Sequence, residues 1–335
     1  MNAARLFAHP TARALAPLAI VIGLGCAFNG GGAFFDWQTH RALLREISVH
    51  GILACGMTVV IVTAGIDLSV GSVLALSAVV FALFTLPWGL PAAVAVAAVL
   101  ALGAAMGALS GALVALGRIQ AFIVTLAAMV FARGLAKQIS GGQKISSYFA
   151  GEDGRFVSVP EPAVFAAIDR RVMGDNLAIV TLIFALVALA TWVVLERLRI
   201  GRYLYAVGGN LEAARLSGVP VRLTLIFAYA FSGLLAAIAG ICQAAQETHG
   251  DPETGGGYEL DAIAMVVLGG TSLAGGKGGV GLTLIGALTL GYLQKILSLN
   301  AYSTEARLML TGAILIGAVL FQRRMSRTRR ARSAG

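Results

Sequence analysis

The sequence has few charged residues, and this shortage decides its class. Only 12% of the 335 residues are Asp, Glu, Lys or Arg, whereas a soluble domain carries roughly 25%. Hydrophobic residues make up 58% and the mean hydropathy is +0.85. This composition excludes a water-soluble domain, a disordered chain and a disulfide scaffold. A membrane span needs about 20 apolar residues, so we expect an all-α polytopic membrane protein with about ten transmembrane helices.

Paired cysteines and catalytic motifs are also lacking. Cys26, Cys55 and Cys242 each lie in an apolar run without a C-x-x-C spacing, so we expect them to pack as small hydrophobic residues. The four histidines are scattered and have no metal-ligand spacing. The sequence 275–278, Gly-Gly-Lys-Gly, resembles the end of a phosphate-binding loop but lacks the hydroxyl residue after the lysine. We therefore expect no enzyme activity, metal or cofactor on this chain.

Apolar segments are what the sequence has in abundance. About ten of them can be delimited, at 14–34, 49–66, 69–87, 89–116, 119–138, 177–196, 223–246, 260–276, 279–298 and 307–322.

The charges between these segments predict a topology. The N-terminus carries Arg5 and Arg13, the segment 196–222 carries five arginines against two glutamates, and the tail 323–335 carries six arginines. Basic segments stay in the cytoplasm, so we expect both termini there. No A-x-A-type cleavage site followed by a polar mature domain is present, so we interpret the first apolar segment as a span rather than a cleaved signal peptide. The segment 247–261 has five acidic residues and no lysine or arginine, and is predicted to be external. Because the basic tail directly follows an apolar run, we interpret it as a topological anchor and expect no nucleic-acid partner.

The loop 138–176 has balanced charges and is also predicted to be external. One pair of residues opposes the positive-inside rule, because Arg41 and Arg45 fall in the first external loop. Asp36 and Glu46 lie close to them in sequence.

Glycines in the fourth apolar segment form two G-x-x-x-G steps. Gly103, Gly107 and Gly111 lie on one face of a helix, where they allow another helix to approach closely. The face could be a dimer contact or a packing face within one subunit.

Two apolar segments are interrupted by small and polar residues, one in each half of the chain, at 63–72 and 267–276. Such a pair indicates a transport pathway, because irregular backbone in a membrane survives only inside protein or along a cavity. Asp67 either contributes to a gate, as an acid in apolar surroundings, or caps the following helix. The predicted pathway or gate residues are Thr63, Gly65, Asp67, Ser69, Gly71, Gly269, Gly270 and Thr271.

The predicted cytoplasmic stretch 205–222 is compatible with one short surface helix. Asn210 is a suitable N-cap, Glu212 lies in the first turn, and Gly218 and Pro220 end the helix. The stretch is either a plain surface loop or a docking element for a cytoplasmic partner.

Four stretches carry a family resemblance. Residues 56–72, GMTVVIVTAGIDLSVGS, closely resemble the early signature of sugar-type permeases of ATP-binding cassette (ABC) importers, the ribose, xylose and galactofuranose group. Residues 119–126, 206–219 and 259–273 resemble the same family in the same order. The resemblance covers about 45–322.

The resemblance implies a permease domain over 1–322 followed by the basic tail 323–335, in the bacterial inner membrane. It implies a second permease subunit, a periplasmic sugar-binding protein, and a separate cytoplasmic ABC ATPase that binds ATP and Mg²⁺. Import would proceed by alternating access, driven through a coupling helix. The coupling residues that the resemblance implies are Gly208, Gly209, Asn210, Glu212, Ala213, Ala214, Leu216, Ser217 and Gly218.

Two other transporter classes stay open at this point. A branched-chain amino-acid ABC permease shares the architecture. An ion-coupled secondary transporter needs buried ionisable groups, of which the sequence offers few beyond Asp67. Lys277 and the insert at 150–171 depart from the family pattern, and neither the sugar nor the choice between homodimer and heterodimer follows from the sequence.

Overall fold

The computed structural model describes residues 10–150, 156–303, 305–306, 309–310 and 312–313, and these residues form a helical bundle. The α-helices among them are α1 (Pro10–Ala27), α2 (Trp37–Val62), α3 (Val70–Thr85), α4 (Ala92–Ala115), α5 (Ala121–Ser140), α6 (Ala163–Asp169), α7 (Ile179–Glu196), α8 (Arg199–Gly209), α9 (Leu211–Leu216), α10 (Val221–Glu247), α11 (Tyr258–Leu268) and α12 (Val280–Leu299).

Six of these helices are long and apolar enough to cross a membrane: α2, α4, α5, α7, α10 and α12. The chain is therefore a multi-pass helical membrane protein. Helices α1 and α3 are apolar but shorter. The predicted count of ten and the orientation of the termini stay predictions, since most of the tenth segment, 307–322, and the whole tail, 323–335, lie outside the described residues.

The segment predicted as a span at 260–276 is helical over only part of its length. Helix α11 has 11 residues and ends at Leu268. Gly269 follows it, and Gly270 adopts φ +99°, which a helix does not allow. The glycines that marked this segment as interrupted in the sequence thus end the helix.

Helix α2 begins 12 residues before the predicted segment. Asp36 caps it by accepting a hydrogen bond of 2.9 Å from the Gln38 amide, so Arg41 and Arg45 lie in the helix and not in a loop. Their ion pairs are with Asp175 at 3.4 Å and Asp169 at 2.5 Å. Their acidic partners therefore come from the loop 141–178 and not from the neighbouring residues Asp36 and Glu46.

That loop contains small elements of its own: the antiparallel strands β1 (Tyr148–Ala150) and β2 (Phe156–Ser158), helix α6, and the antiparallel strands β3 (Arg171–Val172) and β4 (Leu177–Ala178). Ile145 and Gly250 exchange two backbone hydrogen bonds of 2.8 Å. The loops 141–178 and 248–257 therefore lie on the same face of the bundle, as the charge pattern predicted.

Helix α10 forms the centre of the bundle, and the glycine face of α4 packs against it. A methyl group on Gly103 would overlap the Gly233 carbonyl oxygen, and one on Gly107 would overlap the Tyr229 carbonyl oxygen. The described contact of this face is thus within one subunit, where the two backbones touch directly.

Candidate functional site

Asp67 lies in the turn between α2 and α3 and is almost completely buried, with 1% exposure. Its Oδ1 accepts hydrogen bonds from the Ser69 amide at 3.0 Å and from the Ser69 hydroxyl at 2.6 Å. Its Oδ2 accepts a hydrogen bond of 2.8 Å from the Ser232 hydroxyl of α10. The carboxyl group thus orders the turn that precedes α3 and also fixes this turn against the central helix.

Sequence reasoning identified Asp67 and Ser69 but missed their partners on α10. Tyr229 and Ser232 lie one helical turn apart, on the same face of α10, and they are the polar residues of its otherwise apolar stretch 225–242. The Tyr229 hydroxyl is buried beside Gly65 and has no hydrogen-bond partner among the described residues. The spacing of three between two polar residues in an apolar helix was the available signal.

The turn that contains Asp67 has a constrained backbone. The Thr63 hydroxyl donates to the Val60 carbonyl oxygen at 2.7 Å, and the Gly65 amide donates to the same oxygen at 3.2 Å. Ala64 adopts φ +64°, a conformation that a residue with a side chain adopts only at a cost. Thr63 therefore holds the end of α2, and its hydroxyl points back into the helix.

Gly71 lies in the first turn of α3, and it meets the segment that leads into α11. A methyl group there would overlap the Gly255 carbonyl oxygen and the Glu259 carboxylate. The first turns of α3 and α11 are thus in contact, one from each half of the chain.

The second interrupted segment forms a loop, 269–279, between α11 and α12. Thr271 is completely buried, and its hydroxyl accepts a hydrogen bond of 3.4 Å from the Gly279 amide. A methyl group on Gly269 would overlap the Leu282 carbonyl oxygen. The Thr271 hydroxyl therefore links the two ends of the loop 269–279. Among the described contacts, none joins Thr271 to Asp67.

Three backbone segments meet at one place, which we call the three-segment junction: Val62 and Ala64 at the end of α2, Gly208 in α8, and Gly275 and Gly276 in the loop 269–279. The Gly276 amide donates a hydrogen bond of 2.9 Å to the Val62 carbonyl oxygen. A methyl group on Gly208 would overlap that oxygen, and one on Gly275 would lie 2.7 Å from the Gly208 carbonyl oxygen. The two interrupted segments thus meet through their backbones, with the end of α8 between them.

A hydroxyl group adds a further connection between α8 and the loop 269–279. The Tyr205 hydroxyl donates a hydrogen bond of 2.9 Å to the Gly278 carbonyl oxygen. A displacement of α8 would therefore be transmitted to the loop through this bond as well as through the three-segment junction.

The stretch 205–222 contains two helices where one was expected. Gly208 and Gly209 end α8, and the predicted helix is confirmed as α9, whose cap Asn210 accepts a hydrogen bond of 3.0 Å from the Ala213 amide. Glu212 and Ala213 lie within α9, and its C-cap Ser217 precedes Gly218 at φ +79°.

The side chains of α9 face different ways. Leu216 is 82% exposed, whereas Ala214 is buried within the chain. Ala214 therefore supports the fold, and the exposed apolar residues of α9, Leu216 and Leu211, are free to contact another molecule.

The opposite face of the bundle carries the acidic loop 248–257. Lys144 pairs with Asp251 at 3.1 Å and Lys137 pairs with Glu253 at 2.6 Å. Burial raises the pKa of Asp251, but the Glu253 amide and Lys144 outweigh burial and hold this pKa below its ordinary value. The Arg133 guanidinium donates to the carbonyl oxygens of Pro252 and, at 2.7 Å, Thr254.

Known proteins similar to this chain are permeases. A ribose import permease protein of Escherichia coli (strain K12) is 44% identical over 297 residues, which cover 86% of each chain. A ribose import permease protein of Bacillus subtilis (strain 168) is 40% identical, over 85% of this chain and 84% of the relative. A xylose transport system permease protein of Escherichia coli (strain K12) is 34% identical, over 90% of this chain and 88% of the relative. No solved structure is significantly similar to this chain.

The family model described as the permease component of the branched-chain amino acid transport system matches residues 41–319. This match covers most of the chain, and the resemblance stated from the sequence is confirmed. The chain therefore belongs to this family of transport-system permease components.

Proposed function

We propose that this chain is the membrane-spanning permease subunit of an ABC importer that carries a monosaccharide across the bacterial inner membrane. The observation that carries the proposal is the similarity, over at least 85% of the chain, to permeases named for ribose and for xylose. Both are neutral pentoses, so the substrate class is a small uncharged sugar.

The proposed orientation places α8 and α9 in the cytoplasm and the loops 141–178 and 248–257 outside. It is supported by the arginines of α8 and α9, Arg199, Arg202 and Arg215, which lie at the same end of the bundle as the three-segment junction. Ten spans with both termini in the cytoplasm fit this orientation.

In the proposed mechanism the chain performs no chemistry. A separate ATPase binds ATP and Mg²⁺, and its closure displaces α9, whose exposed Leu216 is suited to enter an apolar groove. The displacement passes from α9 to α8 and through the three-segment junction to the Asp67 turn and the loop 269–279. These are the two places where the helices are interrupted, so small backbone shifts there open one side of the pathway and close the other.

The predicted gate residues have distinct parts in this proposal. Asp67, Ser69 and Gly65 form the turn against α10, and Gly71 lets α3 approach the start of α11. Thr63, Gly269, Gly270 and Thr271 shape the backbone that has to move. The hydroxyl groups of Thr63 and Thr271 are buried and bonded to backbone groups.

The proposed partners are a cytoplasmic ABC ATPase, a periplasmic sugar-binding protein, a second permease subunit and the surrounding lipid bilayer. The identity of the second subunit, whether another copy of this chain or a related one, follows from purification of the assembled complex.

Transport by the complete system tests the proposal. The chain is reconstituted in vesicles with its ATPase and binding protein, and uptake of labelled ribose, xylose and leucine is measured with and without ATP. We expect ATP-dependent uptake of a sugar. Uptake of leucine alone would instead support a branched-chain amino-acid permease, the class named in the family description. Sugar uptake driven by a proton gradient without ATP would contradict the ABC mechanism.

A further inference from the structure

A ring of polar side chains lies on the outer half of α2, away from the Asp67 turn. The His50 and Tyr258 rings are in contact, with their centroids 4.1 Å apart and their planes tilted by 39°. The His50 Nε2 atom lies 3.7 Å from the Asp261 carboxylate, and Gln294 approaches the same carboxylate. Lys295, next to Gln294, donates a hydrogen bond of 3.0 Å to Glu46. We call these six residues the polar ring: Glu46, His50, Tyr258, Asp261, Gln294 and Lys295.

The polar ring closes across three helices. Glu46 and His50 are one turn apart on α2, Tyr258 and Asp261 lie in the first turn of α11, and Gln294 and Lys295 are on α12. The two helices α2 and α12 are both long and apolar enough to span a membrane, and His50 is at the midpoint of α2. His50 lies at the start of the predicted span 49–66, and Asp261 lies in the first turn of α11, directly after the loop 248–257. The ring is therefore placed at the outer end of the spanning part of the bundle.

The ring is only partly covered by the chain itself. The side chains of His50 and Asp261 are each 21% exposed, and that of Glu46 is 59% exposed. Ionisable groups in spanning helices face a bundle interior or a water-filled cavity and not the lipid tails. The outer face of α5 has the opposite character, since Val130 and Phe131 are both more than 60% exposed. These two faces thus divide the surface of the bundle into a side for lipid and a side for water or protein.

The chemistry of the ring suits an uncharged sugar. A carboxylate and an amide oxygen accept hydrogen bonds from hydroxyl groups, and a Tyr or His ring offers an apolar face with a polar edge. Small-molecule sites combine such apolar faces with a few fixed polar groups. The Lys295–Glu46 ion pair and the contacts of His50 with Tyr258 and Asp261 also keep these groups positioned without a ligand.

We propose that the polar ring lines the translocation pathway between this chain and the second permease subunit, and that it binds the hydroxyl groups of the passing sugar. This inference rests on the proposed function for the identity of the ligand. It assigns α2, α11 and α12 to the pathway and the exposed face of α5 to the lipid.

Thiol labelling of the assembled complex tests the assignment of faces. The chain carries Cys26→Ala, which removes the exposed cysteine, and one added cysteine in place of His50, Asp261 or Phe131. A charged, water-soluble thiol reagent is applied to the assembled complex in vesicles. We expect reaction at least about tenfold faster at 50 and 261 than at 131, because only a water-exposed thiol ionises readily. Equal slow reaction at all three positions would overturn the proposal, and this comparison requires no sugar.

Ribose, added with the binding protein, tests sugar contact. We expect ribose to slow labelling at 50 and 261 by at least about threefold, because a bound sugar covers both positions. Labelling that ribose does not change, in a complex that transports ribose, would overturn sugar binding.

Asp261→Asn gives a second measurement if the cysteine variants fail to assemble. We expect a KM for ribose raised about tenfold with kcat little changed, the signature of lost substrate binding, and an unchanged KM would overturn the proposal. A wild-type complex that takes up no sugar contradicts the proposed function, while the labelling comparison still decides the pathway face.

Discussion

The Gly276 amide donates a hydrogen bond of 2.9 Å to the Val62 carbonyl oxygen, so the loop that follows α11 is attached directly to the end of α2. This contact joins the two interrupted segments, one from each half of the chain. Gly208 lies against the same Val62 oxygen. The end of α8 thus has no room to move without displacing both segments.

A methyl group at Gly208 should therefore impair coupling. Gly208→Ala places a carbon on the Val62 carbonyl oxygen, and we expect it to push α8 away from the three-segment junction. Sugar uptake and sugar-stimulated ATP hydrolysis should fall about tenfold or more, while the complex still assembles. The control is Gly281→Ala in α12, where an added methyl group meets no atom within 4 Å. Normal coupling in Gly208→Ala would exclude the junction as the connection between α9 and the interrupted helices.

Leu216 offers a test of the docking helix without a cost in folding. It is 82% exposed, and surface substitutions usually change stability by less than about 0.5 kcal/mol. Leu216→Asp should reduce ATPase stimulation to the basal rate, because a charge would be buried in an apolar groove. Met173→Asp changes an exposed residue of the loop 141–178 and should leave stimulation intact. Full stimulation in Leu216→Asp would remove the docking role of α9.

The bond between Ser232 and Asp67 should contribute to stability. Ser232→Ala leaves Oδ2 of a buried carboxyl group without its partner from α10, which costs about 1–3 kcal/mol. Ser110→Ala is the matched control, since among the described residues the Ser110 hydroxyl bonds to a carbonyl oxygen of its own helix. Thermal unfolding in detergent measures both variants, and equal melting temperatures would show that the cross-helix bond is unimportant.

Asp67→Asn distinguishes a role of Asp67 in gating from its role in capping α3. The amide keeps an acceptor for the Ser69 amide, so capping survives while the charge is lost. We expect slower uptake with an assembled complex if Asp67 acts in the gate. Unchanged uptake would leave Asp67 with the structural role of ordering the turn before α3.

Acid should loosen the external loop at 248–257. The pKa of Asp251 is below its ordinary value in the folded chain, so its pair with Lys144 stabilises the loop at neutral pH. This contribution is lost as the pH falls from about 3.9, the unfolded value, through the lower folded pKa. Hydrogen exchange, corrected for intrinsic rates, should show lower protection at 248–257 in acid, with α10 as the reference. Equal protection of the segment 248–257 at neutral and at acidic pH would mean that the Asp251–Lys144 pair does not hold the loop.

The sequence predicted the bundle best where apolar segments are long and uninterrupted. The expected bounds at 89–116, 177–196 and 223–246 agree with α4, α7 and α10 to within three residues. The bounds failed at α2, whose first three turns mix polar and apolar residues and begin at the cap Asp36. They failed also at α11, which ends at glycine.

The candidate site was predicted in part. Asn210 and Gly218 delimit α9 because capping is a local property of a few adjacent residues. Ser232, Tyr229 and the polar ring were missed, because their polar groups are separated by tens to hundreds of residues and meet only in the packed bundle.

Composition alone determined that this chain lies in a membrane, since too few charges are present to cover a water-soluble surface. Local motifs determined the turn at Asp67, the glycine loop and the short helix after Asn210. Only the tertiary structure decided that the first two of these touch directly beside the end of α8, and which polar residues face each other across α2, α11 and α12. The physical reason is that long-range contacts depend on how whole helices pack, and a linear pattern of apolar residues does not specify their mutual rotation.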